Sequence, residues 1–147
     1  MSLNKERNGY FIEELKIGMS AEYSRNVTQQ DIQDFADVSG DDNPVHLNKD
    51  FAKQTRFKGC IAHGMLSAAF ISTVIGTKLP GTGAIYLGQQ LKFLAPVRAG
   101  DTVITTATVT DVNATKSRIT LETICRVDDG PVLEGEALVM VPSKASS

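Results

Sequence analysis

Apolar and polar residues alternate along the second half of the chain in a way that predicts β-strands. Four such stretches cover residues 84–94, 101–112, 117–127 and 131–141, and the turns "RAGD", "NATK" and "DDGP" separate them at hairpin spacing. The alternation is clearest in the third stretch, which sets apolar Ile119, Leu121, Cys125 and Val127 against charged Arg118, Glu122 and Arg126. This pattern is typical of an antiparallel sheet with one face in water.

The segment 61–77, "IAHGMLSAAFISTVIGT", contains no Asp, Glu, Lys or Arg and approaches the length of a membrane span. It also carries a histidine, serines, threonines and glycines, so we expect a helix buried on all sides by protein rather than a span. The apolar face of the sheet needs a cover, and no other segment is apolar enough. The patterns together predict an α+β fold in which a curved antiparallel sheet wraps around one long central helix.

Shorter elements are predicted before this helix. "MSAEYSRNV" (residues 19–27) is expected to form a first strand, and Thr28 with Asp31 resembles a capping box at the start of a helix. Gly40 stands where a left-handed residue would end that helix. Residues 39–60 then read as an irregular segment laid over another part of the fold.

Length and composition favour one domain without a nucleic-acid partner. The 147 residues are 41% hydrophobic, and we expect a single domain over residues 10–141 with flexible termini at 1–9 and 142–147. Fifteen basic and seventeen acidic residues give a net charge of -2 without a basic run, which argues against nucleic-acid binding. The charged N-terminus lacks a signal-peptide core, and the two cysteines form no metal motif, so a cytoplasmic protein without membrane attachment is expected.

The string "SGDDNPVHLN" (residues 39–48) concentrates polar chemistry in ten positions. By spacing alone it reads best as a polar turn. A calcium loop is disfavoured because its glycine and its closing glutamate are missing. A metal held by Asp41, His46 and His63 lacks a recognised ligand spacing, and no serine or cysteine stands in a nucleophile motif.

Acid–base chemistry on water is the remaining functional interpretation. A turn containing proline can aim the carboxylate of Asp41 and the imidazole of His46 at one water molecule. Downstream, "HGM" opens the central helix, where the backbone N–H of Gly64 can stabilise a developing oxyanion. These groups are the equipment for adding water to, or removing it from, a carbon–carbon bond conjugated to a carbonyl.

Three strings, "SGDDNPVHLN", "IAHGML" and "YLGQQLKFLAPVRAGD", resemble the MaoC-like (R)-specific enoyl-CoA hydratases, and the resemblance covers residues 10–141. It implies a hot-dog fold with an overhanging catalytic segment, sites at the interface of a homodimer, an acyl-CoA thioester substrate, and neither cofactor nor metal. By the same resemblance Asp41 takes a proton from water, His46 orients that water and takes part in proton delivery to C2, and Gly64 binds the thioester oxygen. Phe93 resembles a position that contacts the acyl-CoA in relatives, and Met65, on the central helix, is expected to line the substrate pocket.

Other interpretations stay open at this point. The same chemistry on acyl carrier protein would make the chain a 3-hydroxyacyl dehydratase. A hot-dog thioesterase would need a carboxylate on or beside the central helix, and residues 64–77 contain none. A non-catalytic acyl-CoA-binding module would have no use for Asp41 and His46. His63, beside Gly64, is expected to be a structural histidine rather than a catalyst.

Overall fold

A five-stranded antiparallel sheet dominates the computed structural model, which describes residues 9–128 and 130–146. The strands are β1 (Ser20–Asn26), β2 (Ile85–Phe93), β3 (Thr102–Asn113), β4 (Arg118–Val127) and β5 (Gly130–Met140). Every strand predicted from the alternation is confirmed to within one residue at each end. In space the strands follow the order β1–β3–β4–β5–β2.

The hairpin predicted between β2 and β3 is wrong. β2 pairs with β5 at the far edge of the sheet, with Leu91 opposite Gly135, while β3 pairs with β1 and β4. The linker between β2 and β3 is a crossover, because β4 and β5 lie between these two strands in the sheet. In this linker Val97 is buried and its carbonyl accepts a backbone hydrogen bond from Ala62. Only the hairpins β3–β4 and β4–β5 follow the predicted pattern.

In the described residues a short 3-10 helix (Ile12–Glu14) and four α-helices precede β2. The α-helices are α1 (Gln29–Ser39), α2 (Pro44–Leu47), α3 (Lys49–Lys53) and α4 (Gly64–Thr77). The capping box is confirmed, since the Thr28 hydroxyl accepts the Asp31 N–H at 3.0 Å and the Asp31 carboxylate accepts the Thr28 N–H at 3.1 Å. Gly40 ends α1 in the left-handed region at φ 82°, as predicted.

The segment 39–60 is less irregular than expected, because α2 was not predicted. Proline occupies the first turn of α2, where its missing N–H costs nothing, and the Asn43 side chain accepts the Val45 N–H at 3.2 Å. Asn48 caps α3 in the same way by accepting the Phe51 N–H at 3.0 Å. Two capped helical turns therefore give the segment a defined path.

The core lies between α4 and the inner face of the sheet. The buried residues of α4 are Leu66, Ser67, Phe70, Ile71, Val74 and Ile75. They contact inward-facing sheet residues that include Val109, Leu121 and Val139. The predicted architecture of a central helix wrapped by the sheet is confirmed. The expectation that α4 is buried on all sides is wrong, because a stripe comprising Met65, Ala69, Ser72 and Gly76 is exposed in the single chain.

The C-terminal residues contact the N-terminal part of the described chain. Ile12 donates its N–H to Pro142, and the Glu13 carboxylate accepts the Lys144 N–H at 2.8 Å. Residues 1–8 and 147 lie outside the described part of the chain, so the flexible termini stay a prediction. None of the helices in residues 9–128 and 130–146 is long and apolar enough to cross a membrane.

Candidate active site

Asp41 lies in the tight turn that joins α1 to α2. Its N–H donates to the Ser39 hydroxyl at 3.1 Å, and its carboxylate accepts the Asn43 N–H at 3.3 Å. The Ser39 hydroxyl in turn donates to the Phe35 carbonyl at 2.6 Å, at the end of α1. The left-handed Gly40 lets the chain leave α1 abruptly, so the carboxylate of Asp41 is presented at the surface.

His46 lies on α2 and is almost fully buried, with 8% of its surface exposed. Its Nδ1 lies 2.8 Å from the Ile61 carbonyl oxygen, which can only accept, so Nδ1 carries the proton and Nε2 has a free lone pair in the neutral ring. The Ile61 N–H donates to the carbonyl of the neighbouring Val45 at 3.2 Å. This two-way link between residues 45–46 and residue 61 fixes the ring and its tautomer.

The N-terminus of α4 lies next to this histidine. Gly64 begins the helix, and the N–H groups of a first helical turn have no intrahelical acceptor. Within the described chain the side chain of His63, the N-cap residue, makes no capping hydrogen bond to them. Instead its Nε2 donates to the Asp41 carbonyl at 2.9 Å, and its ring stacks on His46 with centroids 3.8 Å apart.

Asp41, His46 and His63 are thereby brought together, since each offers one potential ligand atom within 4.8 Å of the other two. Their geometry favours proton chemistry over a metal. The two imidazole rings are stacked with their planes 27° apart, so their lone pairs lie in two separate, nearly parallel planes, which is an unfavourable arrangement for holding one ion. One nitrogen of each ring is also engaged with a backbone carbonyl. A carboxylate and an imidazole this close can act on the same water molecule.

A cavity of about 500 Å³ opens beside the N-terminus of α4. Its lining is mainly apolar and includes Gly64, Met65, Ser67, Phe93 and Leu133. The structure therefore places both predicted substrate-contacting residues, Met65 and Phe93, in one cavity with Gly64. Asp41 and His46 are not among its lining residues, and His63 is the lining residue that contacts both of them.

Phe93 lies directly against Gly64. A Cβ added at Gly64 would lie 2.5 Å from Cε1 and 2.7 Å from Cδ1 of the Phe93 ring. Because real Cβ contacts are longer than this, only glycine fits here with the ring in its present position. The glycine therefore leaves room for the Phe93 ring in the cavity wall.

Arg98 lies in the crossover between β2 and β3 and binds the backbone of residues 57–60, a contact that the sequence does not predict. Its guanidinium donates to the carbonyls of Phe57 and Cys60, and its own N–H donates to the Asp101 carboxylate at 2.8 Å. The signal in the sequence was the turn "RAGD", which was interpreted as a hairpin. His63 was identified, but its contacts with residues 41 and 46 could not be read from sequence spacing.

The chain matches the model of the MaoC like domain over residues 13–129. It is 53% identical to an (R)-specific enoyl-CoA hydratase of Rhodospirillum rubrum, over 92% of this chain and 94% of that protein. It is 43% identical to a 3-hydroxybutyryl-CoA dehydratase of Methylorubrum extorquens, over 91% and 85%. The unliganded R-hydratase PhaJ1 of Pseudomonas aeruginosa superimposes with a TM-score of 0.86 at 44% identity, over 92% of this chain and 88% of that one. These matches confirm the hot-dog fold, and the chain belongs to the MaoC-like domain family.

Proposed function

We propose that the protein catalyses the reversible hydration of trans-2-enoyl-CoA to (R)-3-hydroxyacyl-CoA. The observation that carries this proposal is the close approach of Asp41 and His46 beside the uncapped N-terminus of α4, which opens on an apolar cavity. The names of the relatives from Rhodospirillum rubrum and Methylorubrum extorquens agree with the reaction and, for the former, with its stereochemistry.

In the proposed mechanism one water molecule donates hydrogen bonds to the Asp41 carboxylate and to Nε2 of His46. Two acceptors fix both hydrogens, so the oxygen lone pair is directed at C3 of the substrate. Asp41 takes one proton from the water as the oxygen–carbon bond forms at C3, and the other hydrogen stays on the new hydroxyl group. The proton held by Asp41 is then passed through Nε2 of His46 to C2, which returns both groups to their starting states. The neutral tautomer of His46 suits this role, because its Nε2 lone pair can receive that proton while its Nδ1–H is held by the Ile61 carbonyl.

Gly64 supplies the electrophilic assistance. As water adds to C3, negative charge develops on the thioester oxygen, and the backbone N–H of Gly64 at the positive end of α4 stabilises it. The acyl chain then extends into the cavity, where Met65 and Phe93 contact it. An apolar lining suits an acyl group, since burying each methylene is worth about 0.8 kcal/mol.

The carrier of the thioester is proposed to be coenzyme A. Arg56 is one of the cavity-lining residues and is exposed, with Lys58 also exposed two positions later. Cations at a cavity mouth suit the phosphates of coenzyme A. Rates on matched enoyl thioesters of coenzyme A and of acyl carrier protein test this choice, and a preference for the carrier protein would replace it with the dehydratase alternative.

Two substitutions test the catalytic pair. We expect Asp41→Asn and His46→Gln each to lower kcat by about 10²- to 10⁴-fold, the usual contribution of a general acid or base. The measurement is the loss of the enoyl-thioester absorbance with trans-2-butenoyl-CoA, together with chiral analysis of the 3-hydroxy product. Asp42→Asn is the matched control. Asp42 is the neighbouring carboxylate and is exposed, so this substitution makes the same chemical change outside the proposed pair.

Near-wild-type turnover in either Asp41→Asn or His46→Gln would end this assignment. Circular dichroism and urea unfolding of each variant must first show that the fold survives. An equal loss in Asp42→Asn would show that the effect is one of general charge, and would also count against the proposed pair.

A homodimer is part of the proposal. β2 is an edge strand with apolar side chains in water, since Ile85 is 54% and Leu87 42% exposed. Edge strands with exposed apolar residues readily pair with another chain. Sedimentation of the wild type is expected to give a dimer, and Leu87→Lys should shift it toward monomer. A wild type that is monomeric and fully active would contradict the proposed dimer but not the proposed roles of Asp41 and His46.

A cytoplasmic location completes the proposal. It is supported by the two cysteines, Cys60 and Cys125, which are both free thiols. Fractionation of the cells that make the protein tests it, and recovery with an exported fraction would contradict it.

A further inference from the structure

His63 occupies the N-cap position of α4 but does not cap the helix. Instead its Nε2 donates to the backbone carbonyl of Asp41, 22 residues earlier in the sequence, at 2.9 Å. In the described part of the chain the other hydrogen bonds of Asp41 run to its own neighbours Ser39 and Asn43. The bond from His63 is therefore the long-range contact that fixes where the carboxylate lies relative to α4.

The same ring supports His46. The two imidazoles stack with centroids 3.8 Å apart, and Phe35 packs against His63 at 4.9 Å. His63 is only 2% exposed, so neither contact is shared with solvent. One side chain thus touches the backbone of one proposed catalytic residue and the ring of the other, and it immediately precedes Gly64.

The second nitrogen of His63 argues against a purely structural role. Because Nε2 donates to a carbonyl, Nδ1 carries a lone pair in the neutral ring, and it is buried without a partner in the described chain. A buried unsatisfied acceptor destabilises a fold, and an apolar ring of similar shape would avoid that cost. The histidine is thus better explained by what Nε2 and the ring face do than by core packing.

We propose that His63 is a positioning residue that sets the distance between the Asp41 carboxylate and the His46 imidazole. The inference rests on the proposed hydration at this site and deepens it. The Nε2–H holds the Asp41 backbone, the ring face holds His46, and the peptide link to Gly64 keeps both in register with the oxyanion donor. This role goes beyond the structural one expected from the sequence and does not make His63 a catalytic residue.

Three substitutions separate the two contacts. His63→Gln keeps an N–H donor but loses the ring, His63→Phe keeps the ring but loses the donor, and His63→Leu loses both. With trans-2-butenoyl-CoA we expect kcat to fall about tenfold in the first two and about 100-fold in the third, the scale of an approximately 1 Å misplacement. KM should change less than about threefold, because His63 positions the proton-transfer pair rather than the acyl group.

The free energy of unfolding of the same variants in urea distinguishes a positioning role from a purely structural one. A purely structural role predicts that activity is lost only where stability is lost. His63→Phe removes the unsatisfied nitrogen and also the hydrogen bond to the Asp41 carbonyl, which water can replace because Asp41 is exposed. Its stability should therefore stay close to that of the wild type while its kcat is lower. Combining His63→Leu with Asp41→Asn should add little to the loss from Asp41→Asn alone, because a positioned group that is already disabled cannot be misplaced further.

Wild-type kcat in both His63→Phe and His63→Leu would overturn the inference, as would losses that merely follow the loss of stability or multiply fully with Asp41→Asn. The proposed function fails differently, through turnover retained in Asp41→Asn or His46→Gln. If those two variants are inactive and the His63 variants are fully active, only the positioning role is refuted.

Discussion

Adding one methyl group at Gly64 tests how closely the start of α4 is fitted to its surroundings. In Gly64→Ala the new Cβ would lie 2.5 Å from Cε1 of Phe93, whereas ordinary contacts are 3.4–4 Å. Either the ring or the helix start must therefore move by about 1 Å. Phe93 is 52% exposed, so its ring can rotate at a cost of about 0.5–1.5 kcal/mol.

The stability of Gly64→Ala is expected to change little. Alanine is up to about 1 kcal/mol better than glycine in a helix, which offsets much of the cost of moving the ring. A displacement of about 1 Å beside the oxyanion donor, however, lowers rates by roughly 10²-fold. We therefore expect kcat/KM for trans-2-butenoyl-CoA to fall about 10- to 100-fold, while the free energy of unfolding in urea changes by no more than about 1 kcal/mol.

Gly76→Ala is the matched control on the same helix. A Cβ at Gly76 meets nothing within 4 Å in the described chain, so this variant should keep its activity and gain stability. Phe93→Ala removes the ring that collides, and Gly64→Ala should therefore cost less in that background than in the wild type. Wild-type kcat/KM in Gly64→Ala, or the same loss with and without the Phe93 ring, would refute the steric argument.

Three further outcomes are expected. Thr28→Ala should lower the free energy of unfolding by about 1 kcal/mol in urea, because α1 loses its cap; no change would mean that the cap is not used. The hydrogen bond from Arg25 holds the pKa of Asp31 below its usual 3.8. The ionised Asp31 therefore stabilises the fold fully above pH 3.8, and this contribution is lost as the pH falls through the lower pKa of the folded state. The free energies of unfolding of the wild type and Arg25→Gln, measured against pH, should accordingly converge at low pH. A constant difference between them at all pH values would contradict this. Arg56→Gln should raise KM for the coenzyme A substrate several-fold with kcat unchanged, with Lys53→Gln as an exposed control; a fall in kcat alone would exclude a role in coenzyme A binding.

The elements that the sequence predicted well are those governed by local physics. The alternation in β4 depends only on which face of one strand meets the core, and Thr28 and Gly40 act on atoms within a few residues. The close approach of Asp41 and His46 agrees with the functional interpretation of the sequence, because the two residues are only five positions apart with a proline between them.

The elements that were missed depend on long-range contacts. The pairing of β2 with β5 joins segments about 45 residues apart, and the turn at 98–101 has the composition of a hairpin whether or not the strands around it pair. The bond from His63 to Asp41 spans 22 residues, and no periodicity encodes it. The exposed stripe on α4 was missed because its residues are apolar or small and give no polar face to read.

The proposed chemical groups, Asp41, His46 and Gly64, all come from one continuous stretch of 24 residues, 41–64, whereas part of the opposite cavity wall comes from the sheet through Phe93, Val132 and Leu133. The two halves are joined by the backbone hydrogen bond from residue 62 to residue 97 and by the hydrogen bond from Arg98 to the carbonyl of residue 60. The proposed water-handling groups are thus encoded in one short segment, whereas the cavity draws its lining both from the end of that segment and from the strands. Substitutions in the strands can therefore reshape the cavity without changing the groups that handle water.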